Sequence, residues 1–235
     1  MNPIDAPDWE ASAITDGGAR MLTGAPVDQA RVAAVLVHGR GQDERVMLDV
    51  IRRLALDDVA YALPTALGQT WYPNRYFEPL AAIEPHLSWS LDAIEAAIDA
   101  LRNAGIQDQR IVLGGFSQGA CLAAQLAATR PRRFAGVAVL TGSLLGPRSD
   151  RPTPSGVEGL PFYISSSRHD TWVRLDDVEA TAEAFAAAGA NVTLEVLDDR
   201  EHLVSDRAVA GLHRLLTARP PRESSPATDR LDRGP

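Results

Sequence analysis

Cysteine is almost absent from this chain. Cys121 is its one thiol, which rules out a disulfide within the chain and the small disulfide-stapled folds with it. Positive charge is also in short supply: the formal net charge is −8 at pH 7, so there is no broad electrostatic case for nucleic acid as a partner. Long hydrophobic runs are missing as well. No uncharged apolar stretch reaches the roughly 18 to 20 residues of a membrane-spanning helix. The opening residues, Met1-Asn2-Pro3-Ile4-Asp5-Ala6-Pro7-Asp8, lack the basic and apolar regions of a signal peptide. The expectation is a soluble cytoplasmic protein with no integral membrane span. Neither an internal repeat nor a second-domain boundary stands out.

What is present suits a large core. Hydrophobic residues make up 45% of the 235 positions, and that length fits a single domain. We place this domain at 1–218, with an irregular segment over 1–18. Residues 219–235 are rich in Pro, Arg, Asp and Ser and have little to bury, so a disordered tail is expected there. Continuous apolar runs at Val32–Val37, Val59–Pro64, Ile111–Leu113 and Gly136–Leu140, and strand-like runs at Leu160–Ser167 and Asn191–Leu197, read as strands. A further short strand is expected near Ala19–Leu22. Helical spacing marks Glu44–Ala55, the Leu87–Leu101 stretch ended by Gly105, Cys121–Ala128, Asp176–Ala188 and Val204–Thr217. Strands alternating with helices imply an α/β fold, with a mostly parallel central sheet and helices on both faces. The stretch 142–159, with its prolines, has no regular pattern. Cys121 falls on the apolar face of its helix and reads as a buried structural thiol.

The densest chemistry lies in Ile111-Val112-Leu113-Gly114-Gly115-Phe116-Ser117-Gln118-Gly119-Ala120-Cys121. Gly115-Phe116-Ser117-Gln118-Gly119 fits the G-x-S-x-G nucleophile elbow, a strained strand-to-helix turn with serine at its tip. Side chains two before and two after that serine must be nearly absent, and the following helix aims N–H groups at any oxyanion formed there. A serine nucleophile needs a base, and the base an orienting acid. In this fold class they follow in the order Ser, Asp or Glu, His. Asp170 and His202 each sit just past a strand-like run, at the sheet edge where open α/β sheets bind ligands. For the acid, Asp176, Asp177, Asp198 and Asp199 are substitutes, and Asp170 could instead cap a turn near Trp172 and Val173. For the base, His169 is a local competitor. His38 reads as a structural residue that bonds backbone and shapes its loop, while His86 and His213 lie in helical segments.

Leu36-Val37-His38-Gly39-Arg40-Gly41, taken with Gly114-Gly115-Phe116-Ser117-Gln118-Gly119-Ala120, resembles the phospholipase/carboxylesterase family of alpha/beta-hydrolases, which includes acyl-protein thioesterase-like serine esterases. The resemblance spans roughly Val32 to Leu216. It implies the alpha/beta-hydrolase fold, Ser117 as nucleophile, Asp170 as acid and His202 as base. It further implies an oxyanion hole formed by the backbone N–H groups of Arg40 and Gln118. The chain departs from the family pattern at four places: Arg40 replaces a frequent apolar residue, Ser167 a glycine common three residues before the acid, Thr171 a proline common soon after it, and Glu201 a glycine common before the histidine. The implied activity is hydrolysis of carboxylic esters, extending to thioesters or lysophospholipids, through an acyl-enzyme and with no cofactor and no metal. The implied partner is a small-molecule ester, and some family members form homodimers. A dienelactone-hydrolase-like enzyme and a non-catalytic ligand-binding protein on the same fold are the alternatives. Trp71, Tyr72, Leu144 and Trp172 lie in strand-end loops and are expected to wall the substrate pocket.

Overall fold

In a computed structural model, which describes residues 20–218, the apolar runs become a seven-stranded sheet. The segments expected over 1–18 and 219–235 lie outside the described residues. Strand order is β1-β3-β2-β4-β5-β6-β7. At one edge β1 (Arg20–Gly24) pairs antiparallel with β3 (Val59–Pro64). The remaining pairings are parallel and join β3, β2 (Val32–Val37), β4 (Ile111–Phe116), β5 (Gly136–Leu140), β6 (Pro161–Ser167) and β7 (Asn191–Leu197). Every residue of β2 and β4 is buried, as a continuous apolar run demands when helices cover both sheet faces. The edge strand β7, by contrast, is largely half-buried.

Two helices cover one face. These are α1 (Glu44–Leu54) and α5 (Asp206–Thr217), whose Met47, Val50, Leu54, Leu212 and Leu216 pack with Tyr61, Leu63 and Tyr163. Asp43 caps α1 by accepting the Arg45 N–H, and Ser205 caps α5 by accepting the Ala208 N–H. The other face carries α2 (His86–Asn103), α3 (Gln118–Thr129) and α4 (Leu175–Ala187), with Ile94, Ile98, Leu126 and Phe185 in the core. In α3 every residue from Gln118 to Ala128 is buried. Its alanines and glycine suit a central helix wedged against sheet and neighbours rather than one with a solvent face. The stretch 142–159 has no regular element, yet it is anchored. Leu144 and Leu145 are buried, the Leu144 N–H donates to Thr181 Oγ1 at 2.9 Å, and the Gly146 N–H donates to the Tyr76 carbonyl at 2.7 Å.

Helix α5 approaches the sheet through a glycine. A Cβ at Gly211 would lie 2.0 Å from Cζ of Tyr163, and the Tyr163 hydroxyl sits 2.8 Å from Glu195 Oε2. The ring therefore has little freedom to yield. Helix propensity alone predicts that Gly211→Ala stabilises the protein by about 0.5–1 kcal/mol. We expect the opposite sign, a loss of about 1–3 kcal/mol from overpacking, read as a lower urea midpoint in equilibrium unfolding.

Candidate active site

The chain turns from β4 into α3 at Ser117, which adopts φ 53° and ψ −116°. A non-glycine residue at positive φ carries strain of about 1–3 kcal/mol. It is held there by its N–H donating to the Leu140 carbonyl and by its carbonyl accepting the Cys121 N–H, both at 3.0 Å. The flanking glycines are steric requirements. A Cβ on Gly115 would lie 2.4 Å from the Gly119 carbonyl oxygen, and one on Gly119 would lie 2.2 Å from the Val37 oxygen. Serine before a helix ordinarily caps it with its hydroxyl. Ser117 makes no such bond. Its Oγ lies instead 2.8 Å from Nε2 of His202.

The other ring nitrogen of His202, Nδ1, lies 2.7 Å from Oδ2 of Asp170. The Asp170 carboxylate is enclosed, with 0% of its side-chain surface exposed. Its second oxygen, Oδ1, accepts the N–H groups of Trp172 at 2.6 Å and Val173 at 3.0 Å. Both readings of this residue are thus realised at once: one oxygen caps the turn and the other faces the imidazole. Burial works against its charge, but the hydrogen bonds from His202 and from the Val173 and Trp172 N–H groups outweigh burial. They hold the carboxyl below its ordinary range. The loops carrying acid and base are stitched together by extension of the β6–β7 ladder. Arg168 N–H donates to the Leu197 carbonyl at 2.7 Å and His169 N–H to Asp199 at 3.0 Å. Ser167 Oγ donates to the Glu201 carbonyl at 2.6 Å, so the residue that replaces a glycine ties the two loops one position before His202.

The competitors are placed elsewhere. The His169 ring is half-exposed and lies 3.5 Å from Asp198. Asp177 is buried among Arg151, Arg174 and the Tyr76 hydroxyl. The Asp199 carboxylate accepts the Glu201 N–H.

A polar frame surrounds the turn after β2. His38 is fully buried. Its Nε2 accepts the Ala66 N–H at 3.0 Å, so Nδ1 carries the proton and donates to the Gly39 carbonyl at 2.7 Å. Burial pushes its pKa down, against smaller upward effects of the Gly39 carbonyl and nearby acids. The Gly39 N–H is taken by Oε1 of Gln42, whereas the Arg40 N–H has no acceptor among the described residues. Gln118 opens α3, so its N–H has no helical partner one turn back. Its side chain spans the segment after β3. Oε1 accepts the Trp71 N–H at 3.0 Å and Nε2 donates to the Tyr72 carbonyl at 2.8 Å. That same carbonyl accepts from the Arg40 guanidinium at 3.2 Å, which also donates to the Asn74 carbonyl. The Trp71 indole N–H closes the frame on the His38 carbonyl at 2.9 Å.

Of the four residues expected to wall the pocket, Trp71, Tyr72 and Leu144 are 5%, 2% and 1% exposed and pack in the core cluster. The loop after β3 supplies backbone partners for Gln118 and Arg40, and the 142–159 stretch supplies one for Thr181. Only Trp172 of the four is open, at 63% exposure, with its ring centroid 6.0 Å from that of His202. Cys121 is buried, and the Tyr72 hydroxyl meets its thiol; burial pushes the pKa of both groups up. A groove lined in part by His202 lies between α1 and the start of α5. The sequence signal was there, in Val46 and Val50 one helical turn apart and in Leu203 beside the histidine, but the valines read as an ordinary core stripe.

The model of a family described as Phospholipase/Carboxylesterase matches residues 21–218. An acyl-protein thioesterase 1 of Aspergillus fumigatus is 27% identical over 207 residues, covering 77% of this chain and 85% of the relative. A phospholipase/carboxylesterase from Dyadobacter fermentans DSM 18053 superposes with a TM-score of 0.79 at 25% identity, over 86% of this chain and 97% of its own. A carboxylesterase from Mesorhizobium loti shares the fold with a TM-score of 0.70 at 21% identity, over 88% of this chain and 98% of its own.

The frame yields two expectations. Gln118→Leu strands the buried Trp71 N–H, which should cost about 1–3 kcal/mol of stability in denaturant titration. For His38 the folded pKa lies below the ordinary value of 6.5. As pH falls through about 6.5 the unfolded chain takes up a proton that the folded chain refuses, so stability drains away on acidification. Thermal unfolding of wild type and His38→Asn at stepped pH should show the variant less stable at pH 7, with the gap narrowing toward pH 5.

Proposed function

Since the chain belongs to the phospholipase/carboxylesterase family of esterases, we propose that it cleaves carboxylic esters through an acyl-enzyme formed on Ser117, with His202 as base and Asp170 as its orienting acid. The observation that carries this reading is the unbroken line from Asp170 Oδ2 to His202 at 2.7 Å and from His202 to Ser117 Oγ at 2.8 Å. It ends at a serine on a strained turn.

With Asp170 ionised, Nδ1–H of His202 donates to it, which leaves the Nε2 lone pair facing the serine hydroxyl. As Oγ bonds to the ester carbonyl carbon, Nε2 takes its proton and Asp170 stabilises the imidazolium. The carbonyl oxygen becomes an oxyanion, received by the N–H groups of Arg40 and Gln118. Each such donor is worth about 2.7–4 kcal/mol of barrier. Collapse of the tetrahedral intermediate breaks the bond to the alcohol oxygen, which leaves with the proton from Nε2. Water then repeats the sequence against the acyl-enzyme and regenerates Ser117. No step calls for a metal or an organic cofactor. Thioesters enter as candidates through the name of the Aspergillus relative, and their cleavage uses the same steps with sulfur as the leaving atom.

Hydrolysis of p-nitrophenyl esters from acetyl to long acyl should be measured for wild type, Ser117→Ala and Asp170→Asn. The serine variant should lose turnover and covalent labelling by an organophosphonate. The asparagine variant should fall by about 10⁴ in kcat, because the imidazole loses its tautomer and charge partner. Folded wild type inert toward every ester, or undiminished turnover by Ser117→Ala, would overturn the reading.

A further inference from the structure

Resting on that reading, we infer that the groove between α1 and the segment 203–206 holds the departing alcohol of the ester, and that it selects alcohols with an extended apolar body. The direction follows from the chemistry of collapse. Nε2 of His202 must protonate the leaving oxygen, so that oxygen sits against Nε2 while the oxyanion turns toward the Arg40 and Gln118 N–H groups. Whatever the leaving oxygen carries must then extend past the imidazole. His202 lines an open groove of about 550 Å³, within the size range of small-molecule sites, about 300–1,000 Å³.

The lining fits an apolar occupant. Val46 and Leu203 offer it apolar surface, while Val50 and Phe116, 1% and 3% exposed, close the groove from the core, with the Phe116 ring 5.2 Å from that of His202. Val46, Val50 and Arg53 follow one face of α1 at i, i+4 and i+7. Leu203 is 47% exposed, an apolar side chain beside the base with surface left to cover. The outer end is polar, but its cation is already engaged. Arg53 donates to the Val204 carbonyl at 2.8 Å and to Asp206 at 2.7 Å. These bonds fasten α1 to the start of α5 and set the width of the groove, and they leave Arg53 little capacity to pair with an anionic headgroup. The neighbouring Asp49 carboxylate lines the groove as well and disfavours an anion there further.

The test holds the acyl group constant and varies the alcohol: methyl, butyl and octyl butanoates, assayed by acid release with wild type, Val46→Trp and Leu203→Ser. Wild type should favour octyl over methyl in kcat/KM. Val46→Trp, which fills the groove, should reduce that octyl-to-methyl ratio by about tenfold or more, the discrimination expected of an apolar pocket. Leu203→Ser, at an exposed position where folding is not at stake, should reduce it by about threefold, roughly one methylene of burial. A parallel series of methyl esters with varied acyl length should keep its wild-type rank order in both variants. An unchanged alcohol ratio in both variants, or a change confined to the acyl series, would overturn the inference while leaving the esterase reading intact. Inertness of folded wild type toward both series would overturn the reading itself.

Discussion

Backbone touches backbone where the end of β2 meets the first turn of α3, and the geometry of the site depends on that contact. The space a Cβ at Gly119 would need is occupied by the carbonyl oxygens of Val37 and His38, at 2.2 and 2.5 Å. Only because nothing separates them can the turn after β2, bearing Arg40, stand beside the helix N-terminus bearing Gln118. The same closeness bends the chain at Ser117 into positive φ. Strain of this kind persists only when the surroundings over-determine it. Here the Leu140 carbonyl, the Cys121 N–H and the glycines on both sides do so. A serine in an ordinary N-cap would spend its hydroxyl on the helix. The strained one keeps it for the imidazole.

Side-chain bonds then convert a close contact into a defined one. The Tyr72 carbonyl accepts from both Gln118 and Arg40, so the two residues whose N–H groups would receive the oxyanion are cross-linked through a single acceptor. An oxyanion hole works by being arranged before the charge appears, and a frame of buried, fully bonded amides is the way a protein keeps such an arrangement without reorganising. Asp170 and His202 are set by a separate device, the continued β6–β7 ladder with the Ser167–Glu201 bond. Ser117 and His202 thus come from different parts of the sheet and meet at its carboxyl edge.

How much of this could be read from the chain divides along physical lines. The parallel strands announce themselves because burial on both faces forces continuous apolar runs, and each begins or ends within a few residues of the expected place. That Ser117, Asp170 and His202 would meet was legible because the elbow needs its glycines and because strand ends mark the edge where ligands bind. The burial of the loop aromatics was not legible. Aromatic residues in a strand-end loop suggest a wall, but whether they face outward depends on where their backbone finds partners. For Trp71 and Tyr72 those partners are the side chains of Gln118 and Arg40, which lie distant in sequence. In the same way Val46 and Val50 follow a single apolar stripe. Val50 is buried at 1% exposure and Val46 only in part, and what they meet beyond the sheet depends on the neighbouring start of α5, to which Arg53 bonds.

The two faces of the sheet are covered differently. On the α2, α3 and α4 side, Trp71, Tyr72, Leu144 and Leu145 belong to the buried core. The 142–159 stretch is fastened there by Thr181, by the Tyr76 carbonyl and by the Arg151–Asp177 pair, whose side chains are 8% and 3% exposed. A buried ion pair is weak evidence for stability but a strong penalty on any state that separates its members. Moving the 142–159 stretch away from α4 would part Arg151 from Asp177 and leave Asp177 to Arg174 and the Tyr76 hydroxyl. The 142–159 stretch is thus held against α4, whereas Trp172 and Leu203, at 63% and 47% exposure, are open apolar side chains near His202.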